Sequence, residues 1–191
     1  MTPWHLFPHL NDNPRVEMVS HSIHYLDMIR ALVGDPRSVF ARSYGHPSSP
    51  LTDTRTSAIL DYGSTLRVTL SINHHHDFGR TFQDAAFRVE GTHGAAMVKL
   101  GLLLDYPTGE ADELWIARKG GPWAQQPLQG RWFPDAFIGP MANLQRFSAG
   151  EDARLSTHVE DAWRTMALVE ACYQSNAQPG TPLPGLEETD T

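Results

Sequence analysis

The fold is decided by one stretch of sequence, TSAILDYGSTLRVTLSIN, residues 56–73. Its two halves, 56–62 and 65–73, alternate apolar and polar side chains and are rich in β-branched residues, which predicts two strands. The pair Gly63-Ser64 between them is a typical hairpin signal. We therefore expect two antiparallel strands that are neighbours in a sheet.

Strand patterns continue on both sides of this hairpin. They are found in SVFARSYG (38–45), AAFRVEG (85–91), AAMVKL (95–100), GLLLDY (101–106) and ELWIARK (113–119). Short connections without an intervening helix favour antiparallel pairing. The strands are expected to form a large, mainly antiparallel open sheet.

Helical patterns lie near both ends of the chain. They are MVSHSIHYLDMIRALVG (18–34), WFPDAFIGPMANLQRFSAG (132–150) and STHVEDAWRTMALVEACYQSN (156–176). Gly34 is a good stop for the first helix, and Gly139-Pro140 should interrupt or restart the second. One helix, several strands and two further helices predict an α+β fold with the helices packed on one face of the sheet.

Composition limits the class of protein and its partners. The chain has 191 residues, 40% of them hydrophobic, and a formal net charge of −7, which disfavours nucleic acid and anionic membranes as partners. No long apolar run and no signal-peptide pattern occur, and the single cysteine, Cys172, can form no internal disulfide. We expect a cytoplasmic domain over residues 1–178 and a flexible, acidic tail over 179–191.

The first helix carries a polar constellation. Ser20, His24 and Asp27 stand at i, i+4 and i+7, which places them on one helical face. A neutral imidazole can take a proton from a hydroxyl that is being oxidised, and a nearby carboxylate raises the basicity of that imidazole. A capped helix with a solvated polar face would show the same spacing, so spacing alone leaves both interpretations open.

A histidine run, Asn73-His74-His75-His76-Asp77, follows the hairpin. On a strand, His74 and His76 would point the same way and could hold zinc if a third ligand came from elsewhere. The same run is typical of a strand end with hydrogen-bonded or solvated rings. Because no cysteine cluster or second spaced histidine pair supports a metal, we expect no metal ligands.

An aromatic segment precedes the second helix. In Arg131–Phe137, Trp132 could stack on the C–H face of a sugar and Asp135 could accept from its hydroxyls. A hydrophobic lead into a helix has the same composition, so the choice stays open. The chain contains no G-x-G-x-x-G after a strand and no P-loop, so these residues alone should not bind a dinucleotide.

Several motifs in order resemble one family of enzymes. They are HSIHYLDMIRALVGDPRSVFAR (21–42), NHHHDFG (73–79), FRVEGTHGAA (87–96), WFPDAFIGPMANLQRF (132–147) and LSTHVEDAWRTMALVEACYQS (155–175). Together, over residues 15–178, they resemble the C-terminal domain of the Gfo/Idh/MocA oxidoreductases, the glucose–fructose oxidoreductase and inositol dehydrogenase family. Each motif alone is weak, whereas the set is fairly specific.

The resemblance implies a two-domain enzyme. Its N-terminal Rossmann domain holds NAD or NADP and the catalytic lysine, and its dihydrodipicolinate-reductase-like C-terminal domain supplies substrate contacts and the oligomer interface. His24 occupies the position of the family's catalytic histidine, and Asp27 matches the acidic residue one turn later. The family often has Asp and Gly where this chain has Ser20 and Ser22, which puts the usual Asp–His arrangement in doubt.

We therefore expect the substrate-binding and dimerisation domain of an NAD(P)-dependent sugar or polyol dehydrogenase, inactive alone, with its cofactor bound by another domain. We expect a homodimer or higher homo-oligomer through the sheet face. The alternatives are a stand-alone non-catalytic ligand-binding or oligomerisation module, or a histidine-based metal-binding protein. The predicted site consists of the catalytic His24 and Asp27 and the substrate-binding Ser20, His21, Trp132 and Asp135.

Overall fold

The computed structural model describes residues 15–49, 51–75 and 77–181. The chain divides into two compact units, one formed by Met1–Asp77 with His158–Thr191 and the other by Phe78–Thr157. Residues 182–191, most of the predicted tail, lie outside the described ranges. In the part of the chain that is described, no helix combines the length and the apolar character needed to cross a membrane.

A helix, a series of strands and two further helices confirm the predicted α+β class, with β7 as a strand that the sequence analysis did not predict. The helices are α1 (Ile23–Val33), α2 (Ile138–Ser148) and α3 (Val159–Asn176). The strands are β1 (Ser38–Tyr44), β2 (Arg55–Asp61), β3 (Arg67–Asn73), β4 (Ala86–Glu90), β5 (Gly94–Lys99), β6 (Glu113–Arg118) and β7 (Trp123–Gln126). A π-helical turn, Met18–Ser22, runs directly into α1, and a 3-10 turn, Asp135–Phe137, runs into α2.

The first unit is built on the predicted hairpin. Strands β2 and β3 pair antiparallel with Ala58 opposite Leu70 and Leu60 opposite Val68, and β1 pairs on the other side of β2. Because side chains alternate along a strand, this register puts the apolar set on one face. That face packs against α1 and α3 in a core of Met18, Leu26, Ala41, Ala58, Leu60, Leu168, Val169, Cys172 and Tyr173.

The end of α3 covers the free edge of β1. Ala41 donates its backbone N–H to Oγ of Ser175 at 2.8 Å, and Ser43 donates its own to Oδ1 of Asn176 at 2.8 Å. An edge strand otherwise exposes unpaired amides that invite pairing with another chain. The motif at the end of α3 therefore closes this sheet edge with side chains.

A buried arginine joins α1 to α3. Arg30 is 8% exposed, and its guanidinium donates to Asp35 at 2.6 Å, to Oδ1 of Asp161 at 3.1 Å and to Oγ1 of Thr165 at 2.5 Å. The inner stripe of α1 thus contains a charge that is paired and hydrogen-bonded, as burial of a charge requires. Gly34 ends the helix with φ of +82°, as predicted.

The second unit contains a four-stranded antiparallel meander, β4-β5-β6-β7. In the described residues the strands form two antiparallel sheets, β1-β2-β3 and β4-β5-β6-β7, in place of the one large sheet expected from the sequence. The strand predicted at 101–106 is wrong. That segment turns, with Tyr106 donating its N–H to the carbonyl of Leu103 at 3.1 Å, and the following Pro107 has no N–H for a ladder.

Candidate functional site

A buried carboxylate fixes the start of the first helix. Oδ1 of Asp53 accepts the backbone N–H groups of Val16 and Glu17, and Oδ2 accepts that of Met18, each at 3.2 Å. Oδ2 also accepts the hydroxyl of Tyr173 at 2.6 Å. The first N–H groups of a helix have no partner within it, so Asp53, which is 1% exposed, replaces a side-chain cap from the helix itself.

The π-helical turn sets which side chains of the predicted constellation face solvent. Ser20, His21 and His24 are exposed, whereas Asp27 is half-buried. Asp27 accepts the hydroxyl of Thr165 at 2.5 Å and lies 3.6 Å from a guanidinium nitrogen of Arg30. Asp27 thus contacts α3 through Thr165, and its predicted catalytic role stays a prediction.

A histidine cluster forms around the buried Glu17. Its Oε2 atom lies 3.0 Å from Nδ1 of His21 and 3.0 Å from Nδ1 of His74, and the two rings stack with centroids 4.6 Å apart. The hydrogen bond with Glu17 raises the pKa of His21, whereas partial burial lowers the pKa of His74. We name Glu17, His21 and His74 the Glu17 cluster.

A second histidine cluster lies close in sequence to the first. His46 and His75 stack with centroids 4.5 Å apart, and the carboxylate of Asp77 lies 3.8 Å from Nε2 of His46 and 3.5 Å from Nε2 of His75. Adjacent histidines, His74 and His75, thus join different clusters. The predicted partner of His74, His76, lies outside the described residues.

The two other predicted substrate residues belong to the second unit, where both anchor a loop. Trp132 donates its indole N–H to the carbonyl of Gly101 at 2.8 Å, and Oδ2 of Asp135 accepts the N–H of Arg131 at 2.7 Å. The Trp132 side chain keeps a partly exposed ring, while the Asp135 carboxylate is committed to the turn before α2. The sequence therefore located polar groups here that hold local structure.

The single cysteine is unsuited to nucleophilic chemistry at neutral pH. Cys172 is 1% exposed in the core of the first unit, and burial raises the pKa of its thiol to about 11. The thiolate is the reactive form of cysteine, so this side chain contributes packing.

The solved structures that this chain resembles include several bacterial oxidoreductases. An oxidoreductase from Agrobacterium radiobacter, in complex with NAD+, L-tartaric acid and magnesium, aligns at a TM-score of 0.67 and 22% identity over 93% of this chain and 52% of that protein. The WlbA dehydrogenase from Bordetella pertussis, in complex with NADH and UDP-GlcNAcA, aligns at a TM-score of 0.58 and 16% identity. That alignment covers 84% of this chain and 42% of the dehydrogenase. The chain thus spans about half the length of these proteins, and the likeness establishes the fold.

The family is indicated by the sequence of the first helix and the strands that follow. Residues 12–97 match the GFO/IDH/MocA C-terminal domain. Over these residues the chain is similar to that domain, which confirms the resemblance predicted from its motifs. A search of curated proteins found no match.

Proposed function

We propose that this chain is the substrate-side domain of an NAD(P)-dependent oxidoreductase that acts on a CH–OH group of a sugar or polyol. The observation that carries the proposal is His24, an exposed imidazole on α1 within the matched segment 12–97. Such a ring can take the proton of a substrate hydroxyl as the carbon is oxidised. A nicotinamide bound by another domain would accept the hydride.

The polar side chains on the helical segment of His24 suit a polar substrate. Ser20 and His21 are exposed there and could hydrogen-bond to substrate hydroxyls. In the second unit, the partly exposed ring of Trp132 could stack on a sugar ring. Asp135 would have to release the Arg131 amide before it could accept a hydroxyl. Asp27 would act as a positioning residue that holds α1 against α3 through Thr165.

The solved structures support this class of substrate and cofactor. The complexes of the Agrobacterium and Bordetella enzymes contain NAD+ with L-tartaric acid and NADH with UDP-GlcNAcA, so both pair a nicotinamide with a hydroxyl-bearing acid or sugar nucleotide. Because this chain covers about half of such proteins, we assign the cofactor to another domain. We also propose a cytoplasmic location, because a chain with one cysteine does not depend on disulfides of its own. The alternative, a non-catalytic binding module, predicts ligand binding without turnover in any combination of domains.

Cofactor binding by this chain alone tests the proposal that another domain binds the nicotinamide cofactor. We expect no saturable quenching of protein fluorescence by NADH or NADPH and no polyol-dependent formation of NADH, because these residues contain no glycine-rich phosphate turn. Fluorescence titration and an absorbance assay measure the two quantities. A polyol-dependent rise in NADH absorbance with this chain alone would overturn the proposal.

Assembly through the first sheet is a separate expectation. The face of β1–β3 away from the helices carries Phe40, which is 63% exposed, and Ile59, together with polar residues such as Arg67 and Ser71. A face of this mixed kind fits a dimer interface better than bare solvent. Light scattering at micromolar concentration should give the mass of a dimer, and Phe40→Glu should give a monomer. A monomer for the unchanged chain would count against this interface.

A further inference from the structure

The Glu17 cluster has the ligand set of a metal site. We propose that Glu17, His21 and His74 bind a divalent transition-metal ion of the Zn²⁺ class through Oε2 of the carboxylate and Nδ1 of both rings. The inference goes beyond the proposed oxidoreductase function and does not depend on it. All three residues lie in the first unit, and their ligand atoms lie within 4.8 Å of one another.

The distances are close to what a small ion requires. Oε2 of Glu17 lies 3.0 Å from each imidazole Nδ1. Zinc binds nitrogen and oxygen at about 2.0–2.2 Å, which puts the ligands of a tetrahedral ion roughly 3.3 Å apart. A small outward shift of two partly exposed rings would therefore admit the ion without a change of backbone.

The charges around Glu17 also favour a cation. The carboxylate belongs to a residue that is 3% exposed, and a buried carboxylate needs a compensating positive charge. A metal ion bound by both rings would supply that charge while both imidazoles stay neutral, and both Nδ1 atoms already lie 3.0 Å from the same carboxylate oxygen.

Hydrogen bonds outside the cluster hold Glu17 and the backbone of His74 in place. Oε1 of Glu17 accepts the hydroxyl of Ser22 at 3.0 Å, and the Glu17 N–H donates to the buried Asp53. The backbone N–H of His74 donates to the carbonyl of Thr54 at 2.9 Å. Such outer contacts fix ligand orientation in metal sites. His21 lies within the π-helical turn Met18–Ser22 that follows Glu17, and π-turns often occur at functional sites.

The three ligands leave room for a further one. The side chains of His21 and His74 are 50% and 35% exposed, so the cluster opens to solvent. Three protein ligands with an open fourth position are typical of zinc that binds water or substrate oxygen, whereas structural zinc has four protein ligands. The structure thus points to an exchangeable site for a water or an oxygen ligand.

The second cluster provides a matched control. Its carboxylate, Asp77, is 47% exposed, and the hydroxyl of Ser48 lies 2.8 Å from Nδ1 of His46 and 3.3 Å from Nε2 of His75. The Glu17 cluster has a buried carboxylate and the shorter distances, which is why we assign the ion there. His75 is the neighbour of His74 in sequence, so a change of either one perturbs the same strand end.

Zinc titration of the purified chain, with a competing chromophoric chelator, tests the site. We expect one tightly bound Zn²⁺ per chain and at least about a 100-fold loss of affinity in His21→Gln and in His74→Gln, since loss of an outer contact alone costs 10–100-fold. His75→Gln should leave the affinity unchanged. Circular dichroism checks that each variant is folded.

Three outcomes would overturn the assignment. They are an unchanged chain that binds no Zn²⁺, histidine variants that bind it as tightly as the unchanged chain, and a loss of affinity confined to His75→Gln. Glu17→Gln keeps an acceptor for Ser22 while removing the charge, and it should also weaken binding. Should that variant fail to fold, the assignment is tested by the two histidine variants and by the rise in Tm that zinc causes in the unchanged chain. None of these measurements involves turnover, so failure of the oxidoreductase proposal would not affect them.

Discussion

Replacement of His24 by alanine is expected to lower the rate of polyol oxidation by at least about tenfold in an enzyme that joins this chain to a nucleotide-binding domain. General acid–base groups contribute roughly 10²–10⁴-fold to rate. His24 is exposed on α1, so its loss removes a proton acceptor and little packing. The kcat should fall while the dissociation constant of the cofactor stays unchanged, because we assign the cofactor contacts to another domain.

The control is His93→Ala, which removes an exposed imidazole from the turn between β4 and β5. It should leave kcat unchanged. Urea unfolding of the isolated His24→Ala chain should match that of the unchanged chain within about 0.5 kcal/mol, as is usual for surface substitutions. A variant with full activity would remove His24 from the mechanism, and one that unfolds would make it a structural residue.

The central hairpin was predictable because its information is local. Alternation over 56–73 predicted β2 and β3 as antiparallel neighbours, whereas the observed pairing of Ala58 with Leu70 depends also on the connection between Asp61 and Arg67. The end of α1 was predictable for the same reason, since glycine adopts the positive φ found at Gly34 without strain. The prediction of a strand at 101–106 was wrong because apolar periodicity gives no information about turns such as the one from Leu103 to Pro107.

The clusters around Glu17 and Asp53 were not predictable because their members meet only in the folded chain. Glu17 and His21 are four residues apart, a spacing visible in the sequence, but His74 comes from the end of β3. The sequence instead paired His74 with His76 by strand alternation, which does not extend past Asn73, where β3 ends. A histidine run after a strand therefore does not show which carboxylate each imidazole will contact in the folded chain.

The tertiary contacts of Asp27 were not predictable for a related reason. Helical spacing places it one turn after His24, which suggested a carboxylate that assists the imidazole. Spacing cannot show that α3 brings Thr165 to within 2.5 Å of the same carboxylate, or that the buried Arg30 lies beside it. The hydrogen-bond partners of a carboxylate on a helix therefore depend on which residues the neighbouring helix brings close to it.

Replacement of Asp53 by alanine is expected to lower the free energy of unfolding of the first unit by about 3 kcal/mol or more. The change leaves three backbone N–H groups and the hydroxyl of Tyr173 without their acceptor, and each unsatisfied buried donor costs about 1–3 kcal/mol. Burial, with the hydrogen bond to Asp53, raises the pKa of Tyr173, so its hydroxyl stays a donor at neutral pH. Urea unfolding followed by circular dichroism measures the loss.

Amide hydrogen exchange in α1 assigns that loss to the first unit, because Asp53 holds the residues that lead into this helix. Asp53→Asn keeps one acceptor oxygen but loses the charge that the helix start favours, so it should cost less, about 1–2 kcal/mol. Asp84→Ala, at an exposed position of the second unit, should stay within about 0.5 kcal/mol of the unchanged chain. If Asp53→Ala were as stable as Asp84→Ala, the backbone donors would have to find other acceptors, and the anchoring of Glu17 proposed for the metal site would lose its basis.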